Sequence, residues 1–304
     1  MKNTKTHQVI CFGEVLWDIL PSGAVPGGAP MNVTYHLHKL GKDPALITRV
    51  GIDEKGAELT RIFTGHGVCT DHFQQDNEHE TGKVFAQPGD NHEMVYDIVM
   101  PVAWDFIEWQ DAYTGLVADA GYFVFGSLAA RSETSRNTLL QILEAAPKKV
   151  FDINLRAPHY NRPILEELLR KTDVLKLNLA ELELLAGWFS GYTNVEDGIR
   201  LVAERFGLST IVVTMGGDGA ILFIDGKIYR HPGFKVSVKD TVGSGDAFLA
   251  GLLSKLMDRA GPAQALEFAN GLGAFIAGET GACPEYDPGE VSALMQDKTS
   301  QVLP

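Results

Sequence analysis

The sequence predicts an α/β protein built on a mainly parallel sheet with helices on both faces. Two observations predict it. Short apolar runs alternate with helical patterns along most of the 304 residues, which is the pattern of repeated strand–helix units. Two stretches, 15–30 and 81–101, break that rhythm with strand and turn signals and no helix, which reads as a small separate sheet.

The elements follow in order. QVICFGE (8–14) reads as a buried strand. PMNVTYHLHKLG (30–41) reads as a helix, with Pro30 suited to its first turn and Gly41 to its C-terminal end. ALITRVG (45–51) is a strand, and EKGAELTRIFTGHG (54–67) a helix. YFVFGS (122–127) is a strand, followed by a helix over 132–146 opened by Ser132. KVFDIN (149–154), VLKLN (174–178) and TIVVTMG (210–216) are further strands, with helical patterns at about 161–171, 179–189 and 194–207. Ligands of such sheets bind beyond the carboxyl ends of the strands, so the residues just after each strand are the ones to inspect. The whole chain, 1–304, reads as one α/β domain, discontinuous around a β lid formed by about 13–30 and 82–102.

Composition narrows the function. The formal net charge of −13 argues against a nucleic-acid partner, which needs a basic footprint. It permits a small anion wherever backbone dipoles or a metal ion supply local positive potential. The three cysteines, Cys11, Cys69 and Cys283, are far apart and form no CxxC pair, which suits a reducing cytoplasm. The N-terminal segment lacks a long apolar stretch, so neither a signal peptide nor a membrane partner is expected. His36 and His38 lie two apart on a helical pattern and so face different directions; they read as structural.

The stretch DTVGSGDAFLAGLLSKL (240–256) carries the densest chemistry. Gly243 and Gly245 leave room for a ligand against the backbone. The apolar run after Asp246 reads as a buried helix, and its first N–H groups lack intrahelical partners, so a phosphate fits there. A carboxylate beside an anion pocket suits removal of a proton from an attacking hydroxyl. Alternatively, Ser244 or Asp246 simply caps the helix.

DTVGSGDAF resembles the C-terminal signature of the ribokinase-like (PfkB) carbohydrate kinases, commonly DTxGAGD, with Ser244 where alanine is usual. GGAPMNV (27–33), GIDEKG (51–56), KLNLAE (176–181) and TMGGDGA (214–220) resemble the family's other motifs in the family's order. The resemblance implies a three-layer ribokinase-like α/β/α domain with a small β-sheet lid. It also implies a kinase that uses ATP and Mg²⁺, with K⁺ as an additional cofactor. CFGEVLWDILP, GGAPMNVTYHLHKLG and FDINLRAPHY most resemble bacterial fructokinases, implying transfer of a phosphoryl group to the 6-hydroxyl of D-fructose. Kinases for ribose or 2-keto-3-deoxygluconate, and a catalytically inactive sugar-binding regulator, stand as alternatives.

By the same resemblance Asp246 is the general base, and the backbone N–H groups of Gly243, Ser244, Gly245 and Asp246 form the anion hole. Asp18, Gly28, Asn32, Asn154 and Arg156 would bind sugar. Lys176, Asn178, Thr214, Gly216, Gly217, Gly219 and Asn270 would bind ATP. Asn178 and Glu181 would organise Mg²⁺ through water, and the carbonyls of Asp240 and Val242, with the 279–285 loop, would hold K⁺. Each has a structural alternative: a helix charge for Glu181, a hairpin turn for 214–219, helix packing for Asn270, a surface ion pair for Arg156. Trp17 either stacks on sugar or packs the lid. Apolar lid residues Val84, Phe85, Val95 and Ile98 suggest a homodimer through the lids.

Overall fold

The structure is a computed structural model that describes residues 7–21, 23–88, 94–189 and 191–297. The chain divides into two compact units. The first comprises Met1–His38 and Asp43–Pro147, the second Lys39–Lys42 and Lys148–Pro304.

The first unit runs β1 (Val9–Phe12), β2 (Leu16–Leu20), β3 (Gly23–Gly27), α1 (Ala29–Lys39, its last residue in the second unit), β4 (Pro44–Gly51), α2 (Glu54–Gly65), β5 (Phe73–Asp76), β6 (Gly82–Pro88), β7 (Met94–Ile98), α3 (Ala112–Ala118), β8 (Tyr122–Gly126) and α4 (Glu133–Ala145). Strands β8, β1, β4 and β5 lie side by side and parallel. Every residue of β1 is buried, as befits a central parallel strand covered on both faces. The small sheet has the order β3-β2-β6-β7: its outer pairs are antiparallel and β2 runs parallel to β6. It occupies the two stretches where the helical rhythm breaks. Val84 and Ile98 are buried in this unit, contrary to the expectation of an apolar lid surface, and Phe85 alone of the three is exposed. They sit opposite each other on β6 and β7 and pack inward; the side chain of Val95 lies outside the described residues.

Local chemistry explains most helix starts. Asp53 opens α2 by accepting from the Gly56 N–H at 2.7 Å. At α4 the outcome differs from expectation: Ser132 occupies the N-terminal cap position but does not cap. Its hydroxyl donates to the Asp105 carbonyl at 2.5 Å instead. Asp105 is itself buried and held by both Nε and Nη2 of Arg131 at 2.7 and 2.8 Å.

The second unit runs β9 (Lys149–Asp152), α5 (Arg162–Arg170), β10 (Val174–Asn178), α6 (Leu179–Ala186), α7 (Val195–Phe206), β11 (Thr210–Thr214), β12 (Ala220–Ile224), β13 (Lys227–His231), α8 (Ser244–Met257), α9 (Pro262–Ala277) and α10 (Pro288–Gln296). Strands β9, β10 and β11 are parallel, and β12 and β13 add antiparallel at the edge. Helices α8 and α9 pack together, and Phe248, Leu252, Leu266 and Ala269 close over Val212 and Leu222. Burying the phenylalanine and leucine side chains contributes about 1.5–3 kcal/mol each. Asn161, Asn178, Asn194 and Asp287 cap α5, α6, α7 and α10 with their side chains. Helices α8 and α9 are different: their cap residues are Gly243 and Gly261, which have no side chain to offer.

Candidate active site

In the first unit, Asp18 projects from β2 over the partner strand β3. A Cβ built on Gly27 would lie 2.1 Å from Asp18 Oδ2, so only glycine admits the carboxylate there. Gly28 has φ +118°, and a Cβ on it would meet the Glu14 carbonyl oxygen at 2.4 Å. The Gly28 carbonyl accepts from the Asn32 N–H at 2.9 Å, which sets buried Asn32 in the first turn of α1. Asp18, Gly28 and Asn32 thus lie in one connected segment. Trp17 packs rather than presenting its indole: it is buried, and its Nε1–H donates to the Lys55 carbonyl at 3.1 Å.

In the second unit, the turn before α8 is built around Gly243. Its φ is +76°, and a Cβ there would stand 2.5 Å from that of Ala282. The turn therefore closes tightly on the 279–285 loop. Asp240 ties the two together: Oδ1 accepts from Val242 N–H at 3.0 Å and Oδ2 from Gly281 N–H at 3.2 Å. Of the four expected anion-hole donors, Ser244 is engaged elsewhere. Its N–H and its hydroxyl both donate to the Thr241 carbonyl, at 3.2 and 2.9 Å. Gly245 and Asp246 are the second and third residues of α8, where backbone N–H groups have no intrahelical acceptor.

Beneath this turn lies Lys176. A Cβ on Gly245 would approach Lys176 Nζ to 3.2 Å. The ammonium is buried and meets both oxygens of Asp152, at 3.0 and 2.9 Å. Burial works against its charge, but Asp152, then Asp246 and Glu181, outweigh it and hold the ammonium above the ordinary lysine range. Cys283 also feels Asp246: burial, then that carboxylate, push its thiol well up. Asp152 is the residue that sequence reasoning missed. Its signal is its pairing register, since Lys176 of β10 lies opposite Asp152 of β9.

Glu181 ties down the loop after β9. One carboxylate oxygen accepts from Leu155 N–H and the other from Asn178 N–H, both at 2.8 Å, while Asn178 Oδ1 accepts from Glu181 N–H at 2.9 Å. The helix-charge alternative and a binding role are therefore compatible, because each carboxylate oxygen retains a lone pair. Burial raises the Glu181 carboxyl, opposed by the Asn178 N–H. The loop carries Asn154 with φ +35°, a conformation rare outside glycine and often found at functional positions. Arg156 is exposed on the same loop, and its Nη1 donates to the Leu155 carbonyl at 3.1 Å.

A groove of about 370 Å³ opens beside the α8 turn. Thr214, Gly216, Gly217, Gly219, Ser244, Gly245 and Asn270 line it, gathering most of the expected nucleotide residues. Its apolar walls come from Phe234, Val236, Val238 and Ala274. The 215–219 segment is also the β11–β12 hairpin turn, with Met215 N–H donating to Gly219 O at 2.8 Å. Asn270 serves its helix too, donating Nδ2–H to the Leu266 carbonyl at 2.8 Å; its carbonyl oxygen remains an acceptor. Lys176 and Asn178 lie outside the groove wall. Among the described residues no group of three metal-ligating side chains forms, and no helix is long and apolar enough to cross a membrane.

A helix end without a side-chain cap over a buried cation, beside an apolar groove, suits an anionic ligand with an apolar part. The profile of the pfkB family carbohydrate kinases matches residues 23–287, and the chain belongs to that family. It is a phosphotransferase acting on a sugar hydroxyl, and its fold is the ribokinase-like α/β class. It is similar to the fructokinase of Escherichia coli, with 31% identity over 262 residues, covering 82% of this chain and 84% of that one. Two solved structures are similar in fold. One is a fructokinase from Xylella fastidiosa with bound ATP: TM-score 0.83, 25% identity, 95% of this chain and 98% of the other. The second is a double-mutant fructokinase from Vibrio cholerae with fructose, ADP and potassium: TM-score 0.80, 25% identity, 97% and 100%.

Proposed function

We propose that the protein transfers the γ-phosphoryl group of ATP to the 6-hydroxyl of D-fructose. The observation that carries this reading is the Gly243–Asp246 turn with the Lys176 ammonium set against Gly245, in a chain whose relatives include fructokinases. Asp246 takes the proton from the sugar hydroxyl as it attacks. The N–H groups of Gly245 and Asp246, with Gly243, stabilise charge on the transferring group, and Lys176 adds a fixed positive charge. Ser244 contributes size and turn geometry more than a donor, since Thr241 holds its N–H.

Asp18, Gly28 and Asn32 are the proposed sugar contacts of the first unit, and Asn154 and Arg156 those of the second. Thr214, Gly216, Gly217, Gly219 and Asn270 hold the nucleotide. Asn178 and Glu181 suit a hydrated Mg²⁺ reached through water, because the amide and both carboxylate oxygens are partly committed to backbone N–H groups. When bound, Mg²⁺ neutralises phosphate charge. The carbonyls of Asp240 and Val242 are the proposed K⁺ donors, in a turn that Asp240 ties to the 279–285 loop. The strands at about 13–30 and 82–102 act as a lid within a single kinase domain. Exposed Phe85 and Val25 offer a narrower surface for homodimerisation than the sequence suggested. A cytoplasmic location fits the chemistry.

ADP release across a panel of sugars and sugar acids, with and without K⁺, tests the reading. Release with fructose and a 6-phosphate product are expected. Turnover only with ribose or 2-keto-3-deoxygluconate would move the substrate, and failure of every sugar to support ADP release would overturn the kinase reading in favour of a catalytically inactive sugar-binding regulator.

A further inference from the structure

Asp152 takes no part in the roles above, yet it is 3% exposed and grips a lysine that is 7% exposed. Removing two charges from water costs several kcal/mol per ion. Well-packed apolar residues would fill the same space without that cost. The pair is placed by the sheet itself, since the two residues are register partners on β9 and β10. Both carboxylate oxygens hold the one ammonium, at 3.0 and 2.9 Å. On its other side Nζ faces the first turn of α8 at Gly245.

We infer that Asp152 is a positioning residue for phosphoryl transfer, anchoring the Lys176 ammonium against the Gly243–Asp246 turn. The inference rests on the kinase reading above. A lysine is a point charge on a flexible four-carbon stem, and its three N–H donors would otherwise be drawn toward another carboxylate whose charge acts on it. Asp246, the proposed base, is the competing one. A doubly engaged Asp152 keeps the ammonium under the backbone, where it attracts phosphate without capturing the base. Glycine at 245 is what lets the ammonium come that close.

The test is a double-mutant cycle with Asp152→Asn, Lys176→Met and the two combined. Asp152→Asn is expected to lower kcat about 10- to 100-fold through misplacement of the charge, with the sugar KM unchanged. Affinity for a non-hydrolysable ATP analogue, measured by calorimetry without sugar, should fall about tenfold, the scale of one charge-assisted hydrogen bond. Adding Asp152→Asn to Lys176→Met should cost nothing further. Multiplying losses would overturn the inference, because Asp152 would then act independently of the lysine. So would a shift in melting temperature with kcat and analogue affinity intact, which marks a purely structural pair. If a single variant fails to fold, the neutral pair Asp152→Asn with Lys176→Gln keeps the contact without the charges, and wild-type turnover in it would equally overturn the inference. If the wild type turns over no sugar, the kinase reading fails, and the cycle is decided on analogue affinity alone.

Discussion

The turn at Gly27–Gly28 and the turn at Gly243–Gly245 use the same residue type to admit opposite charges. At the first, the missing Cβ of Gly27 makes room for the Asp18 carboxylate, and Gly28 presses on the Glu14 carbonyl. The space nearby is rich in acceptors, which suits the hydroxyl donors of a sugar. At the second, Gly243 presses on Ala282 and the missing Cβ of Gly245 admits the Lys176 ammonium. That space holds a fixed ammonium and the first N–H groups of α8, which suits phosphate. A glycine pair in sequence therefore says that something comes close, and only the neighbours say which charge it carries. In a chain of net charge −13, the second case needs a dedicated buried cation.

The comparison breaks most decisively at Asp246. Asp246→Asn preserves shape and removes the base, so kcat should drop about 10²- to 10⁴-fold, with sugar and nucleotide KM nearly unchanged in an ADP-release assay. Near-normal turnover would return Asp246 to a helix-capping role. Next is Gly243→Ala, which forces a methyl group into Ala282 at φ +76°. It should lower kcat/KM for ATP about 100-fold by displacing the turn and cost about 1–3 kcal/mol of stability, read as a lower melting temperature. Gly115→Ala is its control: nothing stands within 4 Å, and the helix interior should gain about 1 kcal/mol or less. Asp18→Ala should act on the other turn alone, raising the sugar KM about tenfold while the ATP KM holds. An effect on both substrates would erase the distinction between the turns. The smallest effect belongs to Cys11 in the core strand β1. Burial, partly offset by a Thr34 hydrogen bond, pushes its thiol up to about 12, so a thiol reagent at pH 8 should leave it unlabelled until the protein unfolds.

Much of this was legible in the sequence because the signals were local. The β1, β8 and β11 runs are apolar and bounded by glycine or helix starts, so their limits fall within a residue or two of the expectation. The start of α8 was legible because two glycines and an acid precede a run buried nearly all round. Strand β5, Phe-Gln-Gln-Asp, and strand β13, Lys-Ile-Tyr-Arg-His, carry too little apolar pattern to announce themselves. Asp152 was missed for another reason: its partner lies 24 residues away on the neighbouring strand, and register is set by the sheet rather than by spacing along the chain. Likewise, nothing in Ser132 or Ser244 reveals that a carbonyl elsewhere will claim the hydroxyl.

The short segment Lys39–Lys42 belongs to the second unit although first-unit residues flank it on both sides. Its lysines pair with Glu285 and Asp258, which follow 246 and 216 residues later. During synthesis this segment emerges 216 residues before its first partner and 246 before its second. The second unit is thus completed by a piece made well before the rest of it. A single cut near Pro147 would strand that piece on the wrong fragment.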